Sequence, residues 1–228
     1  MSVVYEYQRF INGVVFSGEL RKDVQAFLKY HNEHETLDHT INVVNEAVRI
    51  AQLFGVNETF ALQAALLHDV SNVVPKDRMM SIAEAQSIDI IEVELRFPRI
   101  IHQKLSKDMA MGIFGCTDIA ILNAIECHTT LKAGASPLDK VLFVADKISW
   151  ELPGEHPYQE KMRQKLEVFD LDGAILVYLN HVWGQRDKLK VVHPWLIEAR
   201  QELLAAHPVN ILHERLPTDK RRQPLLYL

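Results

Sequence analysis

The sequence predicts an all-α protein. Three observations point there: apolar residues recur every three or four positions, helix start and stop signals bracket those stretches, and alternating strand patterns are nearly absent. The one short alternation, Val14-Val15-Phe16, lies in an N-terminal segment, 1–18, that reads as a loose helix or hairpin. A helix is expected over 19–31, with Leu20, Val24, Phe27 and Leu28 on one face. The next spans 36–54, where Ile41, Val44, Val48 and Ala51 repeat at helical spacing, Gly55 is a natural stop, and His39 falls about one turn before Val43. Asn57 caps a third helix that runs through Phe60, Ala64 and Leu67 to His68-Asp69 and is expected to end near Asn72.

Pro75 opens a short helix, and others are expected at 88–97, at 99–114 and, capped by Thr117, at 118–128. Ser136-Pro137-Leu138-Asp139 joins an N-cap, a first-turn proline and an acid at the third position, so it starts a helix that brings in Asp146. After a loop with Pro153, Gly154 and Pro157, helices are expected at 158–169, 171–183 and 194–206, followed by an extended tail with Lys220-Arg221-Arg222. The domain division is an N-terminal segment 1–18, a main helical domain 19–170 and a C-terminal extension 171–228.

Composition narrows the function classes. A net charge of −5 argues against a broad nucleic-acid surface or binding to an anionic membrane, so any phosphate site must be local. No apolar run is long enough for a membrane span and the first ten residues lack a signal-peptide core, which reads as a cytoplasmic protein. Two cysteines, Cys116 and Cys127, make no disulfide framework and read as reduced core residues. Eleven histidines are the compositional hint of metal chemistry.

The stretch Ala64-Ala65-Leu66-Leu67-His68-Asp69-Val70 carries that hint furthest. A helix this apolar should be buried, yet it delivers an imidazole and a carboxylate into the interior, where each needs a hydrogen bond, an ion pair or a metal. Asp146 poses the same problem inside Val141-Leu142-Phe143-Val144-Ala145-Asp146. His39, His102 and His128 stand on or at the ends of other predicted helices. Four histidines and two aspartates suit Fe, Mn, Co, Ni or Zn rather than Ca or Mg. Six ligands are too many for one catalytic ion and fit two ions bridged by a carboxylate, with a hydroxide between them.

The ordered set His39, His68-Asp69, Asp146 resembles the HD-domain phosphohydrolase superfamily. His102 and His128, together with His39-Thr40, His128-Thr129-Thr130 and the run from Leu138 to Ile148, look like its YqeK-like branch, over about residues 20–170. The resemblance implies an HD-type helical bundle, here with extra C-terminal helices, two metals that are commonly iron, and symmetrical hydrolysis of diadenosine tetraphosphate to two ADP. It implies His39, His68, Asp69 and Asp146 around one ion and Asp69, His102 and His128 around the other. By the same resemblance His68 and Asp69 would be the catalytic pair, with a metal-acidified hydroxide as the expected nucleophile on phosphorus. The chain departs from the branch at Thr36 and Asn72, where basic residues are usual, at Leu131, where Gly is usual, and at Ser149-Trp150-Glu151, which replaces a Glu-Pro-Asn-Arg segment. Substrate contacts are expected from Lys132 and Lys107 and, as a stacking surface for a nucleobase, Trp150. The expected partner is a phosphorylated small molecule, with no nucleic acid or membrane and room for a homodimer. Two other functions fit the same residues: a di-iron oxygenase and a non-catalytic nucleotide-binding regulator.

Overall fold

The computed structural model describes residues 3–150 and 156–207, with side chains from Tyr7 onward. Glu151, Pro153, Gly154 and the tail from Pro208 lie outside the described residues, which fold into helices without a strand. The centre is built from α3 (His34–Phe54), α4 (Glu58–Leu67), α8 (Ile119–Cys127) and α9 (Pro137–Ser149), which pack against one another. Helix α4 starts at the surface with Glu58 and Thr59 and ends in the fully buried apolar run Ala64 to Leu67, and its Ala61, Ala64 and Ala65 let neighbouring backbones approach closely. From α3, Val43, Val44, Ala47 and Ile50 are fully buried against it, each large side chain contributing roughly 1.5–3 kcal/mol.

The remaining helices surround this centre. Helix α1 (Val3–Ile11) packs on α7 (His102–Gly112), and α2 (Leu20–Tyr30) on α3 and α4. The N-terminal segment is therefore a docked helix: Tyr7 and Phe10, three residues apart, are buried, and the Tyr7 hydroxyl donates to Asp108 Oδ2 at 2.5 Å. Helices α10 (Pro157–Glu167) and α11 (Leu171–Gly184) pack on α9, and α12 (Pro194–Ala206) on α11.

Several boundaries differ from the sequence expectation, each for a local reason. Helix α4 stops at Leu67 rather than near Asn72, because Asp69 turns out of the helix at φ −118°, ψ 16° and a 3-10 turn, Val70–Val73, follows. The helix expected from Pro75 starts as the 3-10 turn Lys76–Arg78 before α5 (Met79–Ala85), and of 88–97 only α6 (Glu92–Arg96) forms. Pro98 leads a 3-10 turn to Ile101, so the helix expected from Arg99 begins at His102. Leu131, where a glycine would be free of strain, holds φ +56° and offsets it by burying its side chain in the core.

The cap of α8 is Asp118, not Thr117: its carboxylate accepts from the Ala120 and Ile121 amides at 2.9 and 3.3 Å. Asp118→Ala is expected to lower unfolding stability by about 1 kcal/mol. Urea denaturation with an unchanged slope checks it, and an unmoved midpoint would show that water replaces the cap at no loss.

Candidate metal centre

Five elements each place a side chain at one point. His39 comes from the first half of α3, His68 caps α4, Asp69 follows it, His102 opens α7, His128 caps α8, and Asp146 sits on α9. All are buried except His102, whose side chain keeps 14% exposure. The chain bends sharply between His68 and Asp69, since Asp69 has left the helix. That bend lets the two Asp69 oxygens face different neighbours. Oδ2 lies 3.5 Å from His68 Nε2, whereas Oδ1 lies 3.4 Å from His102 Nε2 and 3.5 Å from His128 Nε2. Asp146 Oδ1 completes the first group, 2.9 Å from His39 Nε2 and 3.8 Å from His68 Nε2.

Backbone carbonyls set the ring tautomers. The Nδ1 atoms of His68, His102 and His128 each lie 2.8 Å from the carbonyl oxygen three residues earlier, of Ala65, Arg99 and Ile125. A carbonyl only accepts, so each Nδ1 carries the proton and each Nε2 presents a lone pair in the neutral ring. His102 Nε2 and His128 Nε2 then face each other at 3.1 Å. Two lone pairs at that distance repel unless a cation lies between or beside them. The Thr129 hydroxyl, 3.1 Å from His102 Nε2, can donate to only one of them. His39 Nδ1, His68 Nε2 and Asp69 Oδ1 are buried without a hydrogen-bond partner. Groups left like this are what a metal ion satisfies, and a carbonyl on the far ring nitrogen is the usual support of a ligating histidine.

The electrostatics agree with that donor chemistry. Burial pushes the His68 imidazole down to about 4 against the pull of Asp69, and burial does the same to His102. Burial would raise Asp69, but His68, His128 and His102 outweigh it and hold the carboxyl well below the usual range. Burial likewise opposes ionisation of Asp146, and Lys147 and His39 overcome it. His68 and His102 therefore offer neutral imidazoles, and Asp69 and Asp146 ionised carboxylates, the forms that bind metal. His39, His68 and Asp146, and separately His68, Asp69 and His128, bring ligand atoms within 4.8 Å of one another. These clusters can hold divalent metal.

A cleft opens over the centre, and Trp150 forms part of its wall, its ring stacked on His39 at 4.0 Å and 23°. The two lysines singled out from sequence stand elsewhere. Lys107 pairs with Glu126 at 2.9 Å, Lys132 lies 3.9 Å from Asp139, and neither lines the cleft. Arg99, Asn72, Thr129 and Lys147 do line it. Of these, Thr129 and Lys147 adjoin ligand candidates in the chain, which was a signal to follow; Arg99 carried none beyond its place three residues before His102. Lys104 and His193, which look like surface residues in the sequence, are buried: Lys104 Nζ donates to Glu94 Oε2 at 2.9 Å and to the Asp89 carbonyl at 2.7 Å.

Comparison with known proteins fits this geometry. The HD-domain family profile matches residues 36–151, which span α3 to α9. An uncharacterized protein in the pepC 5' region of Lactococcus lactis subsp. cremoris is 43% identical over 65% of this chain and 74% of its own length. A symmetrical bis(5'-nucleosyl)-tetraphosphatase of Bacillus subtilis is 30% identical over 68% of this chain and 82% of that protein. Among solved structures, a predicted HD superfamily hydrolase involved in NAD metabolism from Clostridium acetobutylicum superposes with a TM-score of 0.74 at 26% identity, covering 85% of this chain and all of that one. On the fold, the six converging side chains and these relatives, the chain belongs to the HD-domain superfamily of metal-dependent phosphohydrolases, in its YqeK-like branch.

Proposed function

We propose that the protein hydrolyses a nucleotide or dinucleoside polyphosphate, with diadenosine tetraphosphate, split into two ADP, as the leading substrate. The observation that carries this reading is the division of Asp69, one oxygen in each of two histidine groups, which suits a carboxylate shared by two ions. His39, His68, Asp69 and Asp146 would hold one ion and Asp69, His102 and His128 the other. Two divalent ions held there, iron first and Mn, Co, Ni or Zn by the same ligand chemistry, supply an acidified water as nucleophile and neutralise the phosphate oxygens. Support for the nucleotide class comes from the names of the Bacillus subtilis relative and of its counterpart in Halalkalibacterium halodurans, both symmetrical bis(5'-nucleosyl)-tetraphosphatases.

The chain's own residues have distinct tasks in this scheme. Carbonyls of Ala65, Arg99 and Ile125 keep three imidazoles in the tautomer that leaves Nε2 free. Lys147 donates to Asp146 Oδ2 at 2.5 Å, which leaves Oδ1 for the His39 side. Trp150 covers His39 from the cleft and offers an aromatic edge or face to a base.

The test is metal analysis and a hydrolysis screen on one anaerobically purified sample. Expected are about two transition-metal ions per chain, release of ADP alone from diadenosine tetraphosphate, and loss of turnover on chelation. Metal-replete protein that leaves a broad panel of phosphoanhydrides and phosphomonoesters intact would overturn the proposal. Oxygen uptake with a mixed-valent iron signal would replace it with oxygenase chemistry.

A further inference from the structure

Three elements meet at the His102 end of the centre, and buried polar side chains tie them together. The first tie joins α7 to the turn that follows Asp69. Ser106 Oγ donates to Ser71 Oγ at 2.9 Å and accepts the Ser71 amide at 3.2 Å, while Ser71 Oγ donates to the His102 carbonyl at 2.8 Å. The second tie joins α7 to the chain leaving α8, and Gln103 makes it. Gln103 is completely buried, stands next to His102 in the sequence, and accepts the Thr129 amide on Oε1 at 3.2 Å. A backbone N–H only donates, so this bond fixes which end of the Gln103 amide carries the oxygen. The Thr130 hydroxyl, also buried, lies 3.3 Å from both Oε1 and Nε2.

Thr129 is thereby held on two sides, its amide by Gln103 and its hydroxyl 3.1 Å from His102 Nε2. Consecutive residues of one helix clamp the residues that follow His128. The clamp matters because His102 Nε2 and His128 Nε2 stand 3.1 Å apart with lone pairs on both, a spacing that the two rings by themselves would relax by separating. The Lys107–Glu126 pair also crosses from α7 to α8, but it is partly exposed, where an ion pair contributes little. The Gln103 bonds go to Thr129 and Thr130 and not to the His39, His68 and Asp146 group.

We propose that Gln103 is a positioning residue that holds His102 and His128 at ligating distance before an ion arrives, and so sets the affinity of the ion position they form with Asp69 but not that of the position at His39, His68 and Asp146. This rests on the two-ion reading of the centre. A spacing fixed in advance spares the ion the work of drawing two repelling ligands together, which is how bonds behind the ligands raise metal affinity.

Anaerobic titration of the ion-free full chain with Co(II) alone, against a competing chelator and followed by visible absorption, tests this. Wild type is expected to show two classes of site, and His128→Ala identifies the class at His102 by losing it. Gln103→Met keeps the length of the side chain and removes its bonds, so that class should weaken by roughly ten- to a hundredfold while the other is unchanged. The absorption bands of the weakened class should shift, since its imidazoles are no longer held at one spacing. Thr130→Val loses a single partner and should weaken the same class by less, which keeps the test decisive if Gln103→Met does not fold. Asp118→Ala, which loosens the far end of α8 without touching these bonds, should change neither class. Equal weakening of both classes, weakening of the class that His128→Ala retains, no weakening in either variant, or the same change in Asp118→Ala would each overturn the assignment. A wild type that binds one ion in all would sink the two-ion reading; the role of Gln103 then stands if Gln103→Met weakens that ion and falls if it does not.

Discussion

Asp69→Asn is expected to empty both ion positions together and to lower phosphohydrolase activity at least about a thousandfold, the several kcal/mol that metal charge stabilisation supplies. The reason is the way the carboxylate is divided: Oδ2 faces His68 and Oδ1 faces His102 and His128, so one side chain meets both histidine groups. An amide keeps the volume but not the charge, and its NH2 can donate to a histidine Nε2, so the variant should stay folded. Elemental analysis and activity on the same preparation check the claim. Thermal unfolding adds a reading independent of turnover: ions at a hundred times their dissociation constant stabilise wild type by about 2.7 kcal/mol. Chelator should therefore lower the midpoint of wild type and leave that of Asp69→Asn in place. His128→Ala, by contrast, should lose only the ion on the His102 side. Asp69→Asn retaining two ions and near-normal turnover would remove the bridging role.

The second large effect lies away from the centre. Lys104→Met is expected to destabilise the protein by about 3–5 kcal/mol, because it strands the Glu94 carboxylate in the interior. Glu94 is completely buried, Lys104 and His193 nearly so, and Lys104 Nζ donates to Glu94 Oε2 at 2.9 Å. The Ile91 amide donates to the same oxygen at 2.9 Å. His193 caps α12 by accepting the Trp195 amide on Nδ1 at 3.2 Å, which places its proton on Nε2, 3.4 Å from Glu94 Oε1. Through these bonds the C-terminal helix grips the segment that precedes His102. Denaturant unfolding of Lys104→Met, Glu94→Gln and the double variant checks the network. Each single change should be costly, and the double should recover part of the loss, because no buried charge is then left alone.

Acid behaviour gives an independent measure of the same network. Burial pushes the Glu94 carboxyl up, but His193, the Ile91 amide and Lys104 together hold it below its ordinary value of 4.5. A carboxyl depressed in the folded state binds its proton less readily there than in the unfolded chain. Its stabilisation is therefore complete above about pH 4.5 and is lost as pH falls through the lower folded value. Lys104→Met should flatten that acid limb.

How much of this was legible in the sequence follows from which interactions are local. Helix caps and stops act within a few residues, so α3 with Gly55 behind it, α4 after Asn57 and α9 after Ser136-Pro137 could be read directly. The ligand candidates were legible for a related reason. A carboxylate inside Leu142-Phe143-Val144-Ala145 announces that it needs a partner, whatever the partner is. The chain also carries, in its own order of residues, the family to which it belongs.

Tertiary structure decided what depends on distant neighbours. No local pattern distinguishes Lys104, buried on Glu94, from Lys107, paired at the surface with Glu126, since both stand on one helix three residues apart. The same holds for His193, hidden by a carboxylate 99 residues away. The exit of Asp69 from α4, which lets its two oxygens serve two groups, and the arrival of Arg99 rather than Lys132 at the cleft arise only when separate helices close on one point. A sequence states which side chains must find partners; the packing of the helices settles which partners they find, because burial is a property of the whole chain.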